Sequence, residues 1–558
     1  MERPGNRPAE PARSSRKQTN LTAQTASGLS WFYLSTMTFI VANLAYTATV
    51  SRLLAPAAFG LMAVANLVVL FIQFFARMGL GSALVQKPDL SEEEIRAAST
   101  AGIVVGLACL VLVWILAPPV ADLFLAPGLT PVLRGLSISF VFMGWSMTGL
   151  GLLRRELRFR TLSIISAGTY VFAYLVVGVG LALLGAGVWS LVAASVVHTA
   201  ALAVCQYAVL RHPLPPVLRW EPYRAVCGYG ARLSGAHLLD YGGSNLDTLT
   251  VSRVASSAVL GQYTRAYYLV FQPLTNYLAQ ALTNVLFSTL SRIQQDLGRL
   301  SRGYFSVLSL GNLMLFPLCA GIAVAAHELV LVVLGRQWGL AVGLVPWFAL
   351  AGGCHVVSQL TQLLADARAE LNRSLVVQMG YIVALALLLL MVLPFRSGGV
   401  WVIAAAVAAA ELVRYVAYLA LARRVLGMPR AQMWQAHVPA LFASAGVALA
   451  VAATRWALID YVRPLVVLGA EAGAGALALA LCIRFCPLPA VRSELWMRLT
   501  AADVVGAAGG RRWRLASLVL GPPEPPSLVL GPTAPPTVPE VGAQDPPWAP
   551  RGADTCAL

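Results

Sequence analysis

The sequence predicts an all-α polytopic membrane protein, and three observations carry that expectation. Hydrophobic residues make up 58% of the 558 and charged residues only 11%, against roughly a quarter charged in ordinary soluble domains. So few charges cannot cover the surface of a water-soluble chain of this length. Mean hydropathy is +0.72. Apolar runs of about 20 residues, enough to cross a bilayer, recur down most of the chain. They are too continuous for the alternating strands of a barrel.

Taken in order, residues 1–28 form a polar, basic tail rich in Pro and Ser, expected to be disordered. No cleavable signal precedes the first apolar run, which is expected to act as an uncleaved anchor. Six spans follow at 29–50, 59–78, 97–117, 132–153, 162–184 and 188–210, making an N-terminal lobe over 29–225. Six more at 231–251, 266–288, 304–326, 340–364, 375–393 and 400–421 make a second lobe over 226–428. Two additional helices at 437–457 and 464–482 occupy 429–484. The remainder, 485–558, turns Pro-rich and carries the tandem SLVLGPPEPP and SLVLGPTAPP, a composition that cannot bury a core.

Fourteen spans place both termini on one side. With that side cytoplasmic, the inside loops carry seventeen Lys and Arg and the outside eight, as the positive-inside rule requires. The net charge of +16 is then explained by the cytoplasmic flanks, and a nucleic-acid partner is not needed. The eight cysteines are scattered, mostly inside apolar runs. They suggest neither a metal site nor a disulfide framework.

An internal repeat relates the lobes. SRLLAPAAFG begins at Ser51 after the first span, and SRVASSAVLG begins at Ser252 after the seventh. Arg52 therefore matches Arg253, and Gly60 matches Gly261. APPVADLFL from Ala117 is echoed by AHELVLVVL from Ala326. Six spans per half is an even number, so the halves enter the membrane in the same direction. The result is a parallel repeat of two six-helix lobes.

A charge at the bilayer centre costs about 2.5–3.5 kcal/mol on translocon scales, so ionisable residues within spans need a reason. The seventh span carries His237, Asp240, Ser244 and Asp247 on one helical stripe, with Arg232 at its start. The eighth carries Gln272, Asn276, Gln280 and Asn284 after Arg265 at its mouth, and the second carries Asn66, Gln73 and Arg77. Glu411 and Arg414 are three apart and are expected to neutralise each other; Glu471 stands alone in the last span. Polar stripes on three spans point to a hydrated central cavity. Its candidate substrate-binding residues are Arg77, Arg232, Asp240, Asp247, Arg265, Gln272, Asn276, Asn66 and Gln73. Arg52, Arg253, Gly60 and Gly261 are expected to serve as gate or structure. Arg suits phosphate oxygens bidentately, and amides suit sugar hydroxyls. No P-loop, catalytic nucleophile set, metal motif or cofactor motif accompanies them, so transport without hydrolysis is the expectation.

At this point several segments matter together: SRLLAPAAFGLMAV, MGLGSALVQKPDL, LLRRELRFRTLSII, NLDTLTVSRVASSAVLGQYTRAYYL and NVLFSTLSRIQQDLGRLSRGY. Over about residues 29–428 the chain resembles the polysaccharide transporter family, the Wzx-type O-antigen and exopolysaccharide flippases. That family lies within the multidrug/oligosaccharidyl-lipid/polysaccharide exporter superfamily. The position before MGL, often acidic in relatives, is Arg77 here. The resemblance implies two lobes forming a V around a central cavity. It implies a bacterial inner-membrane protein moving undecaprenyl-diphosphate-linked oligosaccharide between leaflets of the lipid bilayer. A coupling ion or the membrane potential would supply the energy, and polysaccharide polymerase or export proteins would be partners. A peptidoglycan-precursor flippase and a drug or cation antiporter of the same superfamily are the neighbouring readings. A membrane polysaccharide polymerase or ligase is the enzyme alternative, but it needs a large outer loop, and none is long here.

Overall fold

The computed structural model describes residues 34–77, 84, 90–126, 128–211, 243, 245–275, 296–368, 370–392 and 399–485; for 74–77, 366, 367 and 371 it describes the backbone alone. The first half contains α1 (34–53), α2 (Pro56–Arg77), α3 (Glu92–Leu123), α4 (Leu129–Arg155), α5 (Phe159–Leu183) and α6 (Val188–Leu210). The second contains α7 (Leu246–Val254), α8 (Ser257–Pro273), α9 (Leu297–Val324), α10 (Ala326–Val333), α11 (Gly339–Ala367), α12 (Leu371–Val392) and α13 (Trp401–Leu426). The short α14 (Arg430–Gln435) leads into α15 (Val438–Leu458) and α16 (Pro464–Arg484). Among the described residues there is no strand.

Eleven of these helices are long and apolar enough to cross a bilayer. They answer to the second to sixth and ninth to fourteenth expected spans. The seventh and eighth spans are described only in part, through α7 and α8, and α1 begins at the edge of the described residues, so the count of fourteen extends beyond them. Residues 486–558, including the Pro-rich tandem, also lie outside.

Local chemistry sets several helix ends. At α3 the Ser91 hydroxyl accepts from the Glu94 amide at 3.3 Å, and the Ser91 amide donates to the Glu94 carboxylate at 3.1 Å. This reciprocal cap, with Glu92 and Glu93 beside it, offsets the positive end of the helix dipole. The Ser256 hydroxyl and the Asp296 carboxylate cap α8 and α9 by accepting from the Val259 and Arg299 amides. The sequence places the end of the third span at Ala117, yet α3 continues through Pro118 and Pro119 to Leu123. Both prolines lie on the exposed side of the helix, where each removes one amide donor without meeting a packed neighbour. In α5 the winding loosens to a π-helix over Val171–Gly178.

The halves pack alike. In the first, α4 lies against α3, α6 and α2; in the second, α11 lies against α9, α13 and α8. α5 leans on α6 as α12 leans on α13. The extra pair joins through α15 on α9, with α16 against α15. Outward faces are apolar at steps of three and four: Val104, Leu107, Val111 and Ile115 on α3, and Val376, Met379, Val383, Leu387 and Leu390 on α12. Stripes of this size are a liability in water and the expected surface in lipid.

The lobes meet chiefly where α2 crosses α8. A Cβ on Gly60 would stand 1.7 Å from the Ser257 carbonyl oxygen, and one on Gly261 would stand 1.9 Å from that of Pro56. Only glycine allows this approach. The two matched glycines of the repeat therefore face each other at the axis relating the halves.

Candidate functional site

One helical turn beyond that crossing, Arg265 projects from α8 toward the first lobe. Its guanidinium carbon lies 3.9 Å above the centre of the Phe59 ring on α2. Tyr46 of α1, Tyr170 of α5 and Tyr268 of α8 are all within its electrostatic reach. Among the described residues no carboxylate pairs with it and no side chain hydrogen-bonds to it.

Behind Arg265 the first lobe supplies an aromatic wall. Tyr170 and Tyr174, four apart across the start of the π segment, stack with centroids 4.4 Å apart. Tyr46 meets Tyr174 edge-on at 5.0 Å, and His198 of α6 meets Tyr170 edge-on at 5.6 Å. The Tyr170 hydroxyl donates to Asn43 Oδ1 at 3.1 Å. His198 Nε2 is buried without a hydrogen-bond partner among the described residues. π-Segments interrupt the regular ladder and recur at functional sites.

Beside the crossing, Asn66, Asn245, Thr248, Thr264, Tyr267 and Tyr268 surround a narrow polar cavity of about 30 Å³. It shares Leu67 and Asn245 with an apolar cavity of about 470 Å³ lined by Phe71, Ile72, Leu112, Leu116, Phe124 and Leu249. A polar cavity thus adjoins an apolar one between α2, α3 and α7.

Carboxylates nearby are already engaged. Asp247 is buried, accepting from the Tyr263 hydroxyl at 2.6 Å and the Thr248 hydroxyl at 3.4 Å. Glu411 pairs with Arg414 at 2.6 Å and with His355 at 3.1 Å, while Arg414 lies 4.5 Å over the Tyr381 ring. Away from the centre, Glu328 pairs with Arg455 at 3.1 Å. Glu471 is buried beside an apolar cavity of about 310 Å³ between α9, α15 and α16.

Of the residues the sequence singled out, Arg265, Asn66 and Asp247 come together around α2, α7 and α8. Gln73 and Gln272 are half-buried on α2 and α8. Arg232, Asp240 and Asn276 lie outside the described residues, as does the side chain of Arg77. Arg52 and Arg253 stand apart from the cavity: Arg52 donates to the Val332 carbonyl and Arg253 to the Leu123 carbonyl. The aromatic wall of Tyr46, Tyr170, Tyr174 and His198 escaped the sequence reading. Its signal was the Tyr170/Tyr174 spacing of four in an otherwise apolar span.

The polysaccharide biosynthesis protein family matches residues 49–343, more than half of the chain. The chain belongs to that family. Similar members include the lipopolysaccharide biosynthesis protein WzxC of Escherichia coli (strain K12), 23% identical over 63% of this chain and 72% of that protein. The succinoglycan biosynthesis transport protein ExoT of Rhizobium meliloti is 27% identical over 54% of this chain and 61% of its own length. Among solved structures, the lipid II flippase MurJ in an inward closed conformation superposes with TM-score 0.61 at 12% identity, covering 85% of this chain and all of MurJ. An inward-facing multidrug resistance MATE transporter superposes at 0.54 and 15% identity, covering 72% and 98%. These likenesses establish the fold, that of an all-α multi-pass membrane protein.

Proposed function

We propose that the protein is a flippase for a lipid-linked polysaccharide unit, moving an anionic, sugar-bearing head across the bilayer by alternating access. The observation that carries this reading is the guanidinium of Arg265, which no carboxylate among the described residues pairs, held at the lobe crossing against an aromatic wall. Among the described residues, the neighbouring carboxylates Asp247 and Glu411 are occupied by Tyr263, Thr248, His355 and Arg414, which leaves Arg265 as the charge these residues offer a ligand. That selects an anion over the cationic drugs of an antiporter.

A diphosphate suits the fork of an arginine. Tyrosine faces suit the apolar faces of sugar rings, and Asn66 and Asn245 suit their hydroxyls. The adjoining apolar cavity suits the start of a long hydrocarbon chain. Undecaprenyl-diphosphate-linked oligosaccharide has all three parts. In this reading it enters from the inner leaflet of a bacterial inner membrane, with both protein termini cytoplasmic. An ion gradient or the membrane potential drives the cycle, and polymerase or export proteins take the product. The other polar candidates of the sequence, Arg77, Arg232, Asp240, Gln73, Gln272 and Asn276, are assigned to the same head group in this reading. Relatives named for lipopolysaccharide, teichuronic acid and succinoglycan biosynthesis support it.

The test is loss of the protein. Surface or secreted glycan should fall sharply while lipid-linked units accumulate on the cytoplasmic leaflet, read by a glycan-reactive reagent in vesicles of opposite orientation. Unchanged export, in cells without a second transporter, overturns the assignment.

A further inference from the structure

We propose that Arg52 and Arg253 are the two halves of the outer gate, each closing it by capping a helix end of the opposite lobe. The proposal rests on the alternating-access reading above. It goes beyond it in assigning the contacts that hold one face shut.

The contacts are reciprocal. Arg52, at the end of α1 in the first lobe, donates to the Val332 carbonyl at the end of α10 in the second. Arg253, at the end of α7 in the second lobe, donates to the Leu123 carbonyl at the end of α3 in the first. Val332 and Leu123 hold the same place in the two echoed segments, the seventh residue counted from Ala326 and from Ala117. Two matched arginines thus reach across the repeat axis to two matched carbonyls.

The chemistry of both ends fits the contact. The last carbonyls of a helix lack intrahelical donors and carry the negative end of its dipole. In α3 the Val120, Ala121 and Asp122 carbonyls are taken by amides that follow the helix. In α10 the Val330 carbonyl receives Leu334 and Gly335. Leu123 and Val332 are left for an outside donor, and a guanidinium satisfies bond and dipole together. Both arginines are exposed, so water can replace these contacts when the lobes part. That suits a reversible latch.

The same face is fastened further. Trp338 Nε1 donates to the Ser51 carbonyl at 2.9 Å, and Gln337 Nε2 to that of Leu54 at 3.0 Å. Gln262 Nε2 holds the Gln337 carbonyl at 2.9 Å. All these groups lie where α1, α3, α7 and α10 end, the outward face in the topology set by the basic residues. Behind the latch, the Gly60/Gly261 crossing closes the path to Arg265. Opening outward requires parting α2 from α8, and both arginine contacts span that seam.

A cysteine placed at Ala63 tests the gate. Ala63 is buried on the polar cavity, seven residues or about 10 Å into α2 from its outward end. A membrane-impermeant maleimide is added outside intact cells, and labelling is read as the excess over the chain without Cys at 63. With both latches intact, labelling should be slow. Arg52→Ala and Arg253→Ala should each raise it several-fold, and the double variant at least tenfold. Arg→Lys at either site, keeping one charged donor, should stay closer to the wild type. Labelling is expressed per folded protein, by fluorescence-detected size exclusion. If the double variant fails to accumulate, the singles, each keeping one latch, carry the comparison. Unchanged labelling in variants of normal abundance overturns the gate. Increased labelling in a protein whose loss leaves glycan export intact would uphold the gate and overturn the flippase reading instead.

Discussion

A guanidinium stacked 3.9 Å over the Phe59 ring gains roughly 0.5–2 kcal/mol from the ring quadrupole. Stacking engages the face of the cation and leaves its in-plane N–H fork for a phosphate. Arg265 is therefore both tolerated inside the bundle and available to a ligand. A charge-assisted hydrogen bond contributes about 1.5–3 kcal/mol, so Arg265→Gln should slow export by roughly ten- to a hundredfold at unchanged protein abundance. Arg265→Lys should keep part of the activity, because the charge survives without the fork. Arg265→Glu should abolish it. Wild-type export by the glutamate variant, measured as surface glycan per unit of protein, would remove Arg265 from the site. Much of this was legible in the sequence: Asn66 stands out as a polar group in an apolar span, Arg265 as a charge at the mouth of one, and the Glu411–Arg414 pair follows from their spacing. Tyr46, Tyr170, Tyr174 and His198 were not, since each sits singly or in a pair on an apolar helix. Only tertiary packing gathers them from α1, α5 and α6.

At the scale of helices, the α2–α8 crossing decides how closely the lobes can pack. The repeated Ser-Arg and Gly identified these positions from sequence, but periodicity alone could not say that two glycines meet. The atoms a new Cβ would strike are backbone carbonyls, which cannot swing aside as a side chain can. Gly60→Ala and Gly261→Ala should each destabilise the folded protein by about 1–3 kcal/mol, the range for overpacking. Gly380 of α12 gives the contrast, because a Cβ there meets nothing within 4 Å. Gly380→Ala should be neutral or stabilising by up to about 1 kcal/mol, from helix propensity alone. Thermal unfolding in detergent reads all three. Equal midpoints for Gly261→Ala and Gly380→Ala would mean that the lobes do not approach this closely in the membrane. The π segment in α5 is an element-scale feature with no sequence signal; Val171–Gly178 reads simply as an apolar run.

For the whole molecule, the matched packing of α2, α3, α4 and α6 with α8, α9, α11 and α13 is what two in-register six-span halves produce. We expect both halves to enter the membrane from the same side, and the basic residues point to which. Arg154, Arg155, Arg158 and Arg160 crowd the junction of α4 and α5, whereas Arg134 is alone near the other end of α4. The 27 residues of α4 span about 40 Å, more than the roughly 30 Å hydrocarbon core, so Gly128 and Arg158 emerge on opposite faces. The positive-inside rule then assigns Arg158 to the cytoplasm and Gly128 to the exterior. Repeat symmetry carries the assignment to the second half, where Arg292 should be cytoplasmic, and alternation of the later spans makes Arg396 external. Fusions of a reporter active only in the cytoplasm, and of one active only outside, should give that pattern at the four sites. An external signal at Arg292 would mean an odd number of spans between Arg158 and that point. The halves would then be inverted rather than parallel, and Arg52 and Arg253 could not lie on one face as partners in a gate.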